Sequence, residues 1–185
     1  MPLILATTWW SLLIRGLAGV ALGIVVLALG DVSVGRLTLF FFGYAMIDGV
    51  VNLAGGITAA EEGQRWRPLL VEAAASIAAA LVAAAWPGLS PMDLIYIIAA
   101  WGLATGALEI VSAVRLRKRV RGEWMLALSG AASIALGIVM VGEPLAATSS
   151  VALQLGVYAL LFGFLLVGLA LRQRARVGAE HPLHA

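Results

Sequence analysis

Four ionisable side chains interrupt otherwise apolar stretches of this sequence. They are Arg15, Asp48, Glu72 and Glu109. A charge at the centre of a bilayer costs about 2.5 to 3.5 kcal/mol on insertion scales, so such residues usually face protein or water and find partners. We therefore predict that Arg15 pairs with Glu72 or Glu109 inside a helical bundle. With one cation facing three carboxylates, we expect at least one carboxyl group to be neutral, because burial and like charge both favour its protonated form.

Two interpretations of these charges stay open at the level of sequence. In the first, their role is structural: Arg15 extends its aliphatic stem towards the lipid head groups, or an ion pair fixes the register of the helices. In the second, the charges form a pathway for protons or ions, since ionisable residues inside a membrane are candidates for function.

The composition indicates a membrane protein. Of the 185 residues, 62% are hydrophobic and 12% are charged, and the mean hydropathy is +1.02. Six apolar runs approach the roughly 20 residues that a helix needs to cross a hydrocarbon core. They are Leu12–Leu29, Leu37–Ala60, Leu69–Trp86, Met92–Val114, Met125–Val141 and Ser150–Leu171. The runs lack the alternation of barrel strands, so we predict an all-α polytopic membrane protein with six transmembrane helices.

The sequence repeats without gaps at an interval of 57 residues. This shift aligns Gly49 with Gly106 and Gly163, Tyr44 with Trp101 and Tyr158, and Gly30 with Pro87 and Pro144. Each copy is predicted to be one helical hairpin, at about 9–65, 66–122 and 123–179, and all three belong to a single transmembrane domain, 1–185. The hairpins run parallel to one another, which allows a pseudo-threefold axis along the membrane normal.

The repeat also groups the polar residues. Arg15, Glu72 and Ser129 are equivalent, and each lies one helical turn before a small residue at i+4. Asn52 is likewise equivalent to Glu109. We predict one polar layer in the cytoplasmic half of the bundle, in which Asp48 lies about one turn deeper than Arg15, Asn52, Glu72 and Glu109. Its members are Arg15, Asp48, Asn52, Glu72, Thr105, Glu109 and Ser129.

Small residues spaced by four follow both helices of every copy. The glycines among them are Gly19, Gly23, Gly49, Gly102, Gly106 and Gly163. Such stripes allow transmembrane helices to approach closely, so we predict tight helix seams along them. Near the middle of the membrane, the equivalent residues Tyr44, Trp101 and Tyr158 form an aromatic layer, which either packs the interior or gates a central pathway.

Basic residues predict the topology. They collect on one side of the predicted spans, at Arg65, Arg67, Arg115, Arg117, Lys118, Arg119, Arg121, Arg172, Arg174 and Arg176. The other side has only Arg36, so both termini are predicted to be cytoplasmic. We expect the lipid bilayer as partner, with anionic lipid at Arg115, Arg117, Lys118, Arg119 and Arg121. A homo-oligomer or a larger membrane complex is also expected, because three hairpins leave ample lipid-facing surface. We do not expect nucleic acid as a partner.

The sequence offers no constellation for catalysis or cofactor binding. It lacks cysteine, and it contains no phosphate loop, nucleophile elbow or metalloprotease helix. His181 and His184 lie in a short polar tail without a supporting carboxylate cluster, which is a poor metal site. We therefore expect no enzyme activity, no cofactor and no metal.

Three segments resemble a known family. They are "RGLAGVALGIVVLALG", "YIIAAWGLATGALEIVSAVRLRKRVRGEW" and "LSGAASIALGIVM". They are similar to the HdeD family of small bacterial membrane proteins associated with acid resistance. The resemblance implies a six-helix protein of the inner membrane with repeated hairpins. The chain departs from the family pattern at Ala73, which follows Glu72 in place of glycine, and at the first outer turn, "LGDVSVG".

Three functions follow as hypotheses. The leading one is a non-enzymatic stress protein of the bacterial inner membrane whose polar layer responds to protonation. The second is a small proton or ion transporter or channel along the pseudo-threefold axis, lined by Asp48, Glu72 and Glu109. The third is an accessory subunit that docks onto a larger membrane complex through its small-residue seams.

Overall fold

The computed structural model describes residues 3–30, 32–61, 63, 66–116, 123–142 and 148–179. Throughout these ranges the regular structure is α-helical. The six helices are α1 (Leu3–Leu29), α2 (Val34–Glu61), α3 (Arg67–Ala85), α4 (Pro91–Leu116), α5 (Glu123–Gly142) and α6 (Thr148–Ala179). Within the described residues, the prediction of an all-α protein with six helices is confirmed, but five of the six helices, and not all six, meet the length and composition of a membrane span.

The helices have the length and composition of membrane spans. Five are long and apolar enough to cross a bilayer: Trp9–Leu29, Val34–Glu61, Arg67–Ala85, Pro91–Val114 and Val151–Ala175. The apolar part of α5, Ala127–Gly142, is shorter than the others. Large apolar side chains such as Leu39, Val114 and Phe164 lie on the outside of the bundle, more than 60% exposed. This surface suits lipid, and the chain is a multi-pass membrane protein.

Short turns at one end of the bundle connect α1 to α2 and α3 to α4, and we call this the turn end. Gly30 and Gly88 adopt φ values of +65° and +70° there, which only glycine adopts without strain. Ser90 caps α4: its Oγ accepts a hydrogen bond from the Asp93 amide at 3.2 Å, and the Asp93 carboxylate accepts one from the Ser90 amide at 3.0 Å. This reciprocal box, followed by Pro91 in the first turn, fixes where α4 begins.

The most extensive helix contacts join neighbouring repeats. They are α2 with α3, α4 with α5, and α6 with α1, whereas the two helices of one predicted hairpin contact each other less. Adding 57 to the residue numbers of α2 and α3 gives those of α4 and α5. Adding 57 again gives α6, and its partner α1 occupies the place that the first helix of a further copy would take. Because consecutive helices also contact each other and α6 returns to α1, the six helices form a closed ring.

The predicted small-residue stripes lie at these contacts between repeats. Gly19 and Gly23 face α6, Gly49 faces α3, Gly102 and Gly106 face α5, and Gly163 faces α1. A Cβ added at Gly106 would lie 2.6 Å from the Gly130 carbonyl oxygen, and one added at Gly130 would lie 2.5 Å from the Gly106 carbonyl oxygen. The backbones of α4 and α5 are therefore too close for any side chain at these positions.

Aliphatic and aromatic side chains fill the interior at the turn end. The core there contains Val26, Val32, Leu37, Phe41, Leu94, Ile95, Ile98, Met140, Val151 and Leu155. Each is at most 3% exposed. The interior of this half of the bundle is thus largely apolar and closely packed, and the buried charged side chains lie in the other half.

Candidate functional site

Arg15 lies in the interior of the ring and contacts carboxylates from three other helices. Its Nη1 is 3.2 Å from Glu72 Oε1 on α3 and 2.7 Å from Glu109 Oε1 on α4. Its Nε contacts Oδ1 of Asp48 on α2. The four side chains are at most 6% exposed. Arg15 thus connects four helices through three ion pairs, and its guanidinium does not extend to the protein surface. We call these four residues the ion cluster.

Helical spacing explains why these side chains meet. Arg15 directly precedes Gly16 and lies one turn before Gly19, so it shares the face of α1 that packs against its neighbours. Asp48 shares its own face of α2 with Asn52. Although Asp48 was expected one turn deeper than the other members, the long arginine side chain reaches it as well as Glu72.

Asp48 accepts hydrogen bonds in addition to its ion pair. Ser76 Oγ donates to Asp48 Oδ2 at 2.5 Å, and Asn52 Nδ2 donates to the same oxygen at 3.3 Å. Trp101 Nε1 donates to Ser76 Oγ at 3.0 Å. Since an indole nitrogen can only donate, Ser76 accepts that bond and directs its own hydrogen to Asp48. This chain of hydrogen bonds connects the aromatic layer to the ion cluster.

Ser76 was not predicted as a site residue. The sequence pattern placed it among the small residues that allow close helix packing, because it is equivalent to Gly19 and Ser133. Its hydroxyl, one turn after Glu72 on the same helix face, was the signal that could have identified it. Ser76 is completely buried and serves both as a small residue and as a hydrogen-bond donor.

Asn52 is hydrogen-bonded to the ion cluster through Asp48, but two other members of the predicted polar layer are not connected to it in this way. Thr105 donates to the Trp101 carbonyl oxygen at 2.9 Å, so its hydroxyl bonds within its own helix. Ser129 is fully buried, but its Oγ has no hydrogen-bond partner in the described part of the chain. The cluster is therefore built from the first two repeats, and the third contributes the apolar Phe162 and Leu166 at the equivalent positions.

The ion cluster is not electrically balanced. One guanidinium faces three carboxylates, which would leave a net charge of −2 if every group were ionised. Unpaired charge in a low-dielectric interior is costly, and carboxyl groups in such sites become neutral instead. Among the described residues, no group of three or more His, Cys, Asp or Glu side chains is arranged to hold a metal ion.

The aromatic layer lies between the ion cluster and the turn end. Tyr44, Trp101 and Tyr158 line one small cavity with an apolar wall. The Trp101 ring packs edge-on against Tyr44 at 5.8 Å and against Phe41 at 5.6 Å. Tyr158 stacks on Phe162 at 6.0 Å. These rings and the apolar core beyond them separate the cluster from the turn end.

The end opposite the turns carries aromatic and basic side chains in contact. The Arg174 guanidinium lies 5.3 Å from the Trp9 ring centroid, and that of Arg67 lies 5.7 Å from the Trp66 ring. Several predicted partner sites fall outside the described residues or side chains. They are Arg115, Arg117, Lys118, Arg119 and Arg121, and the tail with His181 and His184 also lies outside the described residues.

The apolar helices, the buried ion cluster and the repeated packing define a multi-pass membrane protein built from internal repeats. The family described as a short repeat of unknown function, DUF308, matches residues 14–81, 71–142 and 128–184. Successive matches begin 57 residues apart, which is the interval of the sequence repeat. The matches span most of the chain, so the chain belongs to this family. No curated protein and no solved structure matches it.

Proposed function

We propose that this protein is a non-enzymatic acid-response protein of the bacterial inner membrane that binds protons at its ion cluster. The observation that carries the proposal is the buried charge imbalance of one guanidinium against three carboxylates. The resemblance to the HdeD family, which is associated with acid resistance, supports a role for this proton binding in the response to acid.

Protonation changes the energetics of the bundle in a defined direction. Each proton that binds removes one uncompensated negative charge from a site that is almost fully buried. The folded state therefore binds more protons than a state in which the carboxylates are solvated. By linkage, mild acid stabilises the folded bundle, and alkaline conditions weaken it.

The proposed topology places both termini in the cytoplasm. The described arginines Arg67, Arg172 and Arg174 lie at the end opposite the turns, whereas Arg36 lies at the turn end. In this orientation the cluster lies in the cytoplasmic half of the membrane. Three parallel hairpins around a pseudo-threefold axis are supported by the equivalent contacts between repeats and by the shared cavity of Tyr44, Trp101 and Tyr158.

A transporter or channel is the second candidate, and one observation favours it. Oε2 of Glu109 has no hydrogen-bond partner in the described structure, so one carboxylate oxygen of the cluster has its lone pairs available for a proton. The packing of the turn end opposes a continuous path, because Leu37, Leu94 and Ile95 are completely buried there. We therefore expect the cluster to bind protons without conducting them across the membrane.

Lipid is the proposed partner at the surface. The large exposed apolar side chains of the described helices suit the acyl chains, and basic residues at the cytoplasmic end suit anionic head groups. The same lipid-facing surface is available for a homo-oligomer or a larger membrane complex. An accessory role in such a complex is compatible with proton binding.

An acid-survival assay tests the proposed function. In a strain lacking the gene, we expect wild-type protein to restore survival of an acid challenge and the double variant Glu72→Gln/Glu109→Gln to restore much less, because amides cannot bind the protons. Glu61→Gln is the matched control, since Glu61 is an exposed residue at the end of α2. Membrane abundance of each variant is measured alongside. Equal survival with and without the gene would contradict the proposal.

Proteoliposomes separate this proposal from transport. With a pH-sensitive dye inside, we expect wild-type protein to leave the proton permeability unchanged under an imposed pH gradient. Flux that appears with wild type and Glu61→Gln, and disappears with Glu72→Gln/Glu109→Gln, would support the transporter instead.

A further inference from the structure

We propose that Glu72 and Glu109 together hold the exchangeable proton, whereas Asp48 stays ionised as the permanent counter-ion of Arg15. This assignment rests on the proposed function, and it deepens that proposal by naming which carboxylates bind. It follows from how the hydrogen-bond donors are divided among the three acids.

Asp48 receives most of the donors in the cluster. Arg15 Nε pairs with its Oδ1, and Ser76 and Asn52 both donate to its Oδ2. The Trp101 indole fixes the direction of the Ser76 hydrogen, so Oδ2 must act as an acceptor. A carboxyl group whose two oxygens both face donors is stabilised as the anion. Asp48 and Arg15 therefore form a neutral pair on their own.

Glu72 and Glu109 share what remains of the guanidinium, and Glu72 also faces the side-chain amide of Asn52. Both contact the same nitrogen, Arg15 Nη1, through their Oε1 atoms at 3.2 and 2.7 Å. Glu109 is completely buried, and its Oε2 has no hydrogen-bond partner among the described residues. An unpartnered neutral carboxyl group costs far less in an apolar interior than an unpartnered anion. At least one of the two glutamates is therefore protonated.

No second cation faces this pair in the described structure. The titratable groups around it are Arg15 from α1, Asp48 and Tyr44 from α2, and Tyr158 from α6. On the α5 side, the α4–α5 seam next to Glu109 carries Gly130 and the small hydroxyl residue Ser133. Neither tyrosine supplies positive charge, so a proton is left as the species that neutralises the pair.

Two acids that share one guanidinium nitrogen are coupled electrostatically. Ionising either glutamate raises the cost of ionising the other, as in other carboxyl pairs that share a site. The two residues belong to one repeat, at positions equivalent to Arg15 and Asn52 of the first repeat. The proposed proton-binding pair thus lies in the second repeat, next to the ion pair of Arg15 and Asp48 in the first.

Infrared spectroscopy of the protein in lipid nanodiscs tests the assignment. A protonated carboxyl group gives a carbonyl stretching band that amides and carboxylates lack. In wild-type protein made by cell-free synthesis, we expect ¹³C-labelled glutamate to shift this band and ¹³C-labelled aspartate to leave it in place. The labelled samples are wild type, so folding is not in question. We expect the band to be lost in Glu72→Gln/Glu109→Gln and retained in Glu61→Gln.

The outcomes separate this assignment from the proposed function. A band that shifts with labelled aspartate, and remains in the double variant, would overturn the assignment while leaving a proton-binding cluster in place. Absence of any protonated carboxyl band attributable to the cluster across the acid range would overturn both. A band that shifts with labelled glutamate but persists in the double variant would place the proton on another glutamate and also overturn the assignment.

Discussion

Replacing Arg15 with alanine is expected to lower the free energy of unfolding by about 3 to 5 kcal/mol, the range found when one partner of a buried ion pair is removed. The substitution leaves Asp48, Glu72 and Glu109 without the cation that all three contact. Unfolding in mixed micelles with increasing denaturing detergent, followed by circular dichroism, measures the change.

Arg36→Ala is the matched control for this experiment. Arg36 is exposed at the turn end and should contribute little, within about 0.5 kcal/mol. A second variant tests the electrostatic cause: Arg15→Met/Asp48→Asn removes one charge of each sign, and we expect it to recover part of the stability lost in Arg15→Met alone. If Arg15→Ala unfolds at the same point as Arg36→Ala, the ion cluster does not hold the bundle together.

Gly163→Ala is expected to be the most disruptive change at the helix seams. A Cβ at this position would lie 2.5 Å from the Val20 nitrogen, 2.7 Å from the Gly16 oxygen and 2.9 Å from the Gly19 carbonyl carbon. All three are backbone atoms, so α1 and α6 must move apart to admit the methyl group. Overpacking of this kind costs about 1 to 3 kcal/mol. The same detergent titration measures the loss.

Gly168→Ala on the same helix is the control. A Cβ at Gly168 would meet nothing within 4 Å, so this variant should be as stable as wild type or slightly more stable, because alanine favours helix. The contact between α1 and α6 closes the ring next to Arg15, so Gly163→Ala should also disturb the ion cluster. Equal stability of the two alanine variants would show that the closing seam is looser than the structure indicates.

Much of the architecture could be predicted from the sequence because the repeat is ungapped. The interval of 57 residues placed Arg15 and Glu72 at equivalent positions of adjacent copies, and the structure brings them together as an ion pair. Helical spacing then placed Asp48 and Asn52 on one face of α2. Helical periodicity is sufficient for such predictions, because the number of residues between a side chain and the small residues of the seam determines on which face of the helix it lies.

Other features could not be predicted, since they depend on which faces meet in three dimensions. The close packing of α6 against α1 joins residues at opposite ends of the chain, and the hairpin pattern did not indicate that contacts between repeats exceed those within them. The role of Ser76 depends on the indole of Trp101 from another helix. Thr105 matched the polar pattern, but its hydroxyl satisfies its own backbone.

The three copies differ in their charged residues, which explains why a sequence repeated three times forms a single ion cluster. The first copy supplies Arg15 and Asp48, and the second supplies Glu72 and Glu109. The third copy has Ser129, which is neutral. A symmetric set of charges would repel or leave several cations unpaired in the interior. Because all four charged residues come from the first two copies, the charge imbalance lies instead at a single buried site.

Proton uptake by the purified protein tests the central claim most directly. Protein in nanodiscs is acidified from alkaline pH in weak buffer, and the bound protons per chain are counted with a pH indicator against empty nanodiscs. We expect wild type and Glu61→Gln to take up more protons per chain than Glu72→Gln/Glu109→Gln over the range in which surface glutamates remain ionised. Equal uptake by wild type and the double variant would contradict the claim that the ion cluster binds protons.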